Sequence, residues 1–150
     1  MANSYRTARK KICESLVNEI KLIDGNHPFN SNVFKNAHTG MIFLDDIQEY
    51  PKVCVVAGDE TRQYQPNEFK WRFLTIDIRV YVEDQDDPQE VLTQMMEDIE
   101  RVIDNNDVLT YDDTVSPKLT TTSLTLQSIT TDEGVLTPLG IAEITLECRY

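Results

Sequence analysis

The chain has 150 residues, 40% of them hydrophobic and 27% charged, which is the mix and size of one globular domain with a sizeable core. Its 26 acids against 14 bases leave a formal net charge of −12, which excludes sequence-independent wrapping or groove reading of nucleic acid. An acidic ring is different, because repulsion from all sides lets DNA pass without sticking. Three widely spaced cysteines, Cys13, Cys54 and Cys148, are an odd number and argue against a secreted disulfide framework. Each lies in or beside an apolar position and reads as a packed small hydrophobe. The N-terminal charges are not followed by the apolar run of a signal peptide, and no stretch approaches a membrane span, so a soluble cytoplasmic chain is expected.

In chain order, Ser4 can cap a helix running to about Ile23. Its apolar positions Tyr5, Ala8, Ile12, Leu16, Ile20 and Ile23 recur every three or four residues and form one core-facing stripe. Gly25 suits the left-handed position after a helix, and Pro28 forbids continuation. Residues 29–40 are polar and Asn-rich and read as loop, with room for a short strand at Val33–Phe34. Met41–Leu44 is a short apolar run, and 45–50 allows one helical turn before Pro51. Val53–Val56 is a continuous apolar strand, broken by Gly58. A long loop is expected over 57–70, well beyond the usual hairpin connection and carrying Arg62, Gln63, Tyr64 and Gln65.

The clearest strand follows at 71–83. Leu74, Ile76, Ile78, Val80 and Val82 share its core face; Thr75, Asp77, Arg79, Tyr81 and Glu83 share the other. Asp87-Pro88-Gln89-Glu90 is a capped helix start, and the helix runs to about Asp104 with Val91, Leu92, Met95, Ile99, Val102 and Ile103 inward. Residues 109–119 are irregular. Strands are expected over 120–129 and 141–150, the last alternating to the terminal residue. The order α-β-β-α-β-β predicts an α+β fold: a single, mainly antiparallel or mixed sheet with both helices on one face, in a single domain over 1–150.

The chemistry-bearing residues are sparse. His27 and His38 lie in loops without ligand spacing, no serine or cysteine nucleophile signature is present, and no phosphate loop occurs. The acid pair Asp59–Glu60 and the acids of 84–87 lack calcium-loop spacing and read as solvated loop or helix caps. No catalytic residue, metal or cofactor is assigned. Trp71 and Phe73 lie opposite the apolar stripe, on the face of Asp77 and Arg79. They either pack beneath the 57–70 loop or a second layer, or belong to a subunit interface, where aromatics and Arg are enriched.

The run YPKVCVVAGDE, the Gln/Tyr loop, FKWRFLTIDIRVYV and the capped acidic helix DDPQEVLTQMMEDIERVI resemble the tail terminator proteins of long-tailed bacteriophages, also called tail completion or minor tail proteins. The resemblance rests mainly on residues 50–104. It implies a non-enzymatic virion protein that forms a hexameric ring on the head-proximal end of the tail tube. Such a ring stops tube polymerisation, meets the neck or connector, and lets the genome pass through its hole without specific binding. Assembly in the host cytoplasm, no membrane partner and no catalytic residue are likewise implied.

A ring needs head-to-tail contacts between two unlike patches. One expected patch combines Asp59, Glu60, Arg62 and Tyr64 of the loop with Trp71, Phe73, Arg79 and Tyr81 of the strand. The other is the basic N-terminal stretch around Arg6 and Lys10, facing acids of a neighbour. Another head–tail joining protein would share this size and acidity, and an unrelated adaptor domain would share the size; a hydrolase using Asp59 and Glu60 would lack a supporting shell.

Overall fold

The computed structural model describes residues 4–67 and 70–150, with side chains from residue 8 onward. Helix α1 spans Ser4–Ile20 and α2 spans Pro88–Asp104. Seven strands follow in chain order: β1 (Ala37–Thr39), β2 (Lys52–Tyr64), β3 (Lys70–Glu83), β4 (Thr110–Asp112), β5 (Leu119–Thr120), β6 (Ser123–Thr131) and β7 (Leu139–Arg149). A five-stranded sheet has the order β1-β2-β3-β7-β6, antiparallel except for the parallel β1–β2 pair; β4 and β5 form a separate two-stranded ribbon. The expected mixed α+β architecture is therefore present, with both helices on one face.

Alternation places the core. Leu74, Ile76, Ile78, Val80 and Val82 of β3 and Ala142, Ile144, Leu146 and Cys148 of β7 point to the helix side. There they meet Ile12, Leu16 and Ile20 of α1 and Leu92, Met95 and Ile99 of α2, all buried. The start of α2 follows from its sequence: the Asp87 side chain accepts from the Glu90 N–H at 3.1 Å, and Pro88 occupies the first turn. The proposed cap at Ser4 and the inward placement of Tyr5 lie outside the described side chains.

Several boundaries differ from expectation. The first helix ends at Ile20, and Ile23 is buried in the turn beyond it, with Gly25 in the left-handed region at φ +81°. The early strand falls at 37–39 rather than 33–34, because the Val53 N–H bonds the Asn36 carbonyl and aligns β1 with β2. The helical turn lies at Leu44–Asp46.

The largest correction concerns the loop expected over 57–70. Most of it is strand: β2 continues to Tyr64 and pairs with β3 down to Tyr64↔Lys70. Gly58 does not end the strand but forms part of a bulge between Ala57 and Glu60. A Cβ there would sit 3.3 Å from the Thr75 carbonyl oxygen, so the backbone approach favours glycine.

Candidate assembly surface

β3 gains β7 as a neighbour only from Phe73 onward, through Phe73↔Arg149, while β1 covers β2 only over 53–55. Beyond that point residues 61–64 and 70–73 form a two-stranded arm, called the 61–72 arm below, whose strands pair with each other: Thr61↔Phe73, Arg62↔Arg72, Gln63↔Trp71 and Tyr64↔Lys70. An isolated two-stranded ribbon buries little and is marginal by itself.

The arm is anchored at its root and open at its tip. The Glu60 carboxylate is 6% exposed; it accepts from the Tyr150 hydroxyl and meets the Arg62 guanidinium at 2.5 Å. Burial and the Glu60 hydrogen bond push the Tyr150 phenol above its usual range. The Tyr150 ring takes the edge of Tyr111 at 6.2 Å and has the Arg72 guanidinium 5.9 Å away. On the opposite face, the Arg149 guanidinium lies 4.1 Å from the centre of the Trp71 ring. Cations stacked on rings in this way hold extended side chains flat on a ribbon. Toward the tip, Tyr64 is 74% exposed and Lys70 sits 5.3 Å over it.

The sheet face away from the helices is half-exposed and polar. Arg79 pairs with Glu143 at 2.7 Å across β3–β7, and the Asp77 carboxylate accepts from Thr145 at 3.1 Å. The Glu143 hydrogen bond is the main reason the Arg79 guanidinium holds its proton even more firmly than usual. At one end this face is roofed by 41–50, where Ile42, Leu44, Ile47 and Tyr50 pack on Cys54, Tyr81 and Ile141.

The residues singled out from the sequence therefore separate into groups. Arg62, Tyr64, Trp71 and Phe73 lie on or at the root of one arm, and Asp59 is exposed at its bulge. Two others have their polar groups engaged within the chain: Tyr81 is buried with its hydroxyl donating to the Ile42 carbonyl at 2.9 Å, and the Glu60 side chain, 6% exposed, is held by Tyr150 and Arg62. Arg79 is paired within the sheet. Trp71 and Phe73 are not covered by a 57–70 loop, because that segment lies beside them as strand.

The described part of the basic N-terminal stretch stays near the surface, and two of its cations find partners within the chain. Arg9 donates to the Gly58 carbonyl, and Lys11 holds Asp112 of β4 at 2.6 Å. Lys10 stays exposed with Glu14 3.8 Å away, and the Arg6 side chain lies outside the described residues. Two acids escaped the sequence reading. Asp98, fully buried on α2, accepts from the Asn30 N–H at 3.0 Å and from the Ser31 N–H at 2.7 Å and hydroxyl at 2.5 Å. Asp112, buried under Lys11 and bonded by Thr114, has its carboxyl pulled down to about 2, chiefly by the Lys11 hydrogen bond. A polar residue at an apolar-stripe position of α2 was the available signal for Asp98; nothing local marks Asp112.

His38 meets a partner, the Cys54 sulfur 3.6 Å from its Nε2. Burial lowers the imidazole pKa and raises that of the thiol, so both stay neutral rather than forming a thiolate–imidazolium pair. Burial likewise lifts Cys13 to about 11 and Cys148 to about 12. Among the described residues no group of three or more His, Cys, Asp or Glu is placed to hold a metal.

Comparison with known proteins bears on what such a surface serves. Residues 6–150 match the model of a family described as Bacteriophage Tail Tube Terminator Protein. The tail tube terminator protein p142 of Escherichia phage T5 is 38% identical over 151 aligned positions, covering 95% of this chain and 92% of that protein.

Proposed function

The chain belongs to the bacteriophage tail tube terminator family, and from that premise we propose that it closes the tail tube as a ring of identical copies. In this reading the ring, six copies by the family resemblance, seats on the head-proximal end of the tube and ends its polymerisation. Its other surface receives the neck or connector, and the genome crosses the central hole without specific binding. The role is structural, performed in the virion after assembly in the host cytoplasm, and requires no catalytic residue.

The observation that carries this reading is the family match across 6–150, nearly the whole chain. The geometry agrees in kind. A ring joined head-to-tail needs two unlike patches on each copy. This chain carries an extended basic and aromatic arm on one side and acidic helix surface on another. The interface residues proposed are Asp59, Arg62, Tyr64, Trp71 and Phe73 around the arm, Arg79 on the adjoining sheet face, and Arg6 and Lys10 on α1. The acidic balance of −12 suits a channel that must not retain DNA.

The test is the mass of the purified protein with and without tail tube protein, with negative-stain images of the same samples. Closed rings, in solution or on tube ends whose lengths become limited, are the expected result. A monomer that ignores tubes and leaves their length unchanged overturns the proposal.

A further inference from the structure

We propose that the 61–72 arm of one copy lies along the acidic outer stripe of α2 in the next copy around the ring. This rests on the ring reading above and specifies which two surfaces meet. Three features of the structure point to it.

The arm contrasts in charge with the rest of the chain. Residues 61–72 carry Arg62, Lys70 and Arg72 against the single acid Glu68, a net +2 in a chain of net −12, and the arm stays cationic, by one charge, when the Arg62–Glu60 pair at its root is set aside. Its exposed Tyr64 and Arg62 and half-exposed Trp71 are residue types of interface hot spots, and residues 61–64 of its ribbon are exposed throughout.

The acceptor is set by what α2 leaves unneutralised. Glu90, Glu97, Glu100 and Asp104 are exposed, and spacings of seven, three and four residues keep them on one side of the helix. Among the described residues no ion pair reaches any of them. Arg101, the basic residue of the last turn, instead donates to the Pro28 carbonyl at 2.9 Å. Glu100 and Asp104 also stand near the C-terminal end of the helix, where the helix dipole disfavours negative charge. A cationic ribbon from outside relieves both the mutual repulsion of the stripe and this dipole penalty.

The two surfaces are also unlike and lie on different elements, so the contact is heterologous and propagates from copy to copy as a ring requires. Neither surface can satisfy the other within one chain: the arm extends past the end of β7, whereas α2 packs against the body strands.

The test is a charge swap. One variant carries Lys70→Glu with Arg62→Gln, a second carries Glu97→Lys with Glu100→Lys, and native mass and negative stain read the rings. Each alone is expected to reduce ring yield about tenfold or more at equal concentration. Mixing the two restores rings, because the reversed arm meets the reversed helix and each native arm meets a native helix. That recovery also shows that both variants fold. Wild-type rings that survive both substitutions, or losses that mixing does not repair, overturn the docking while leaving the ring itself standing. Intact rings with altered DNA retention would assign the arm to nucleic acid and overturn it too. A wild-type chain that forms no ring, even on tubes, removes the ring reading and this contact together.

Discussion

The five-stranded body and the two-stranded arm are continuous along β2 and β3 yet obey different rules. In the body, the central strands β3 and β7 have a strand on each side and one sheet face is sealed by two helices, so their alternate residues are fully buried. In the arm, the same two strands pair with each other and touch the rest of the sheet at the root, where the Tyr150 N–H donates to the Arg72 carbonyl at 3.1 Å; their side chains are held by stacked cations and a buried carboxylate. Burial is what holds the body together. The arm leaves extended backbone and the Tyr64 ring at the surface.

That contrast predicts that body substitutions cost stability and arm substitutions cost assembly. Ile78→Ala in the centre of β3 should show the largest effect, destabilising the chain by about 3–4 kcal/mol in urea unfolding, since a fully buried side chain leaves a cavity. An effect under about 1 kcal/mol would show that the body core is loosely packed. Asp98→Ala should follow at about 2 kcal/mol, because it strands the Asn30 and Ser31 N–H groups. Hydrogen exchange at those two amides should quicken more than exchange in β3.

Acid should sharpen the comparison within the body. Asp112 has a carboxyl at about 2 in the folded chain against an ordinary 3.8, so its contribution is present above the ordinary value and is lost as pH falls toward 2. Asp112→Asn should therefore lower the melting temperature at pH 6 and converge with wild type near pH 2. Parallel curves at all pH values would remove the Lys11 pairing as the cause. Across the arm and the adjoining sheet face, Trp71→Ala combined with Arg79→Ala should weaken ring assembly by more than it lowers unfolding free energy, and an intact ring after both changes would dissociate these residues from the interface. The smallest stability effect belongs to Tyr64→Ala at the exposed tip, within about 0.5 kcal/mol of wild type. If its melting temperature falls sharply instead, the arm is part of the folding unit and the division between the two regions fails.

Residues with a strong local signature were legible. The period-two stripe Leu74–Val82 and the Asp87-Pro88 cap have causes within a few residues, and both stand in the structure where they were read. The arm was not legible because Gly58, Asp59 and Glu60 carry turn-like chemistry, and the bulge they form shifts the alternation that would reveal a strand. Past the bulge neither face is buried, so no hydrophobic period survives in 61–64. Tyr81 misled for the opposite reason: its strand face is solvent-facing by pattern, but 41–50 folds over that end and buries it.

The sequence by itself determined the acidic balance, the two amphipathic helices, the long central strand and the family resemblance, because each depends on spacing or composition along a short stretch. Only the tertiary structure decided that 57–64 pairs as strand, that Lys11 reaches Asp112 across 101 residues, and that Asp98 is buried under the Asn30–Ser31 turn. Those outcomes depend on which distant backbone amides and charges the fold brings within hydrogen-bond reach, and separation along the chain carries no record of that distance.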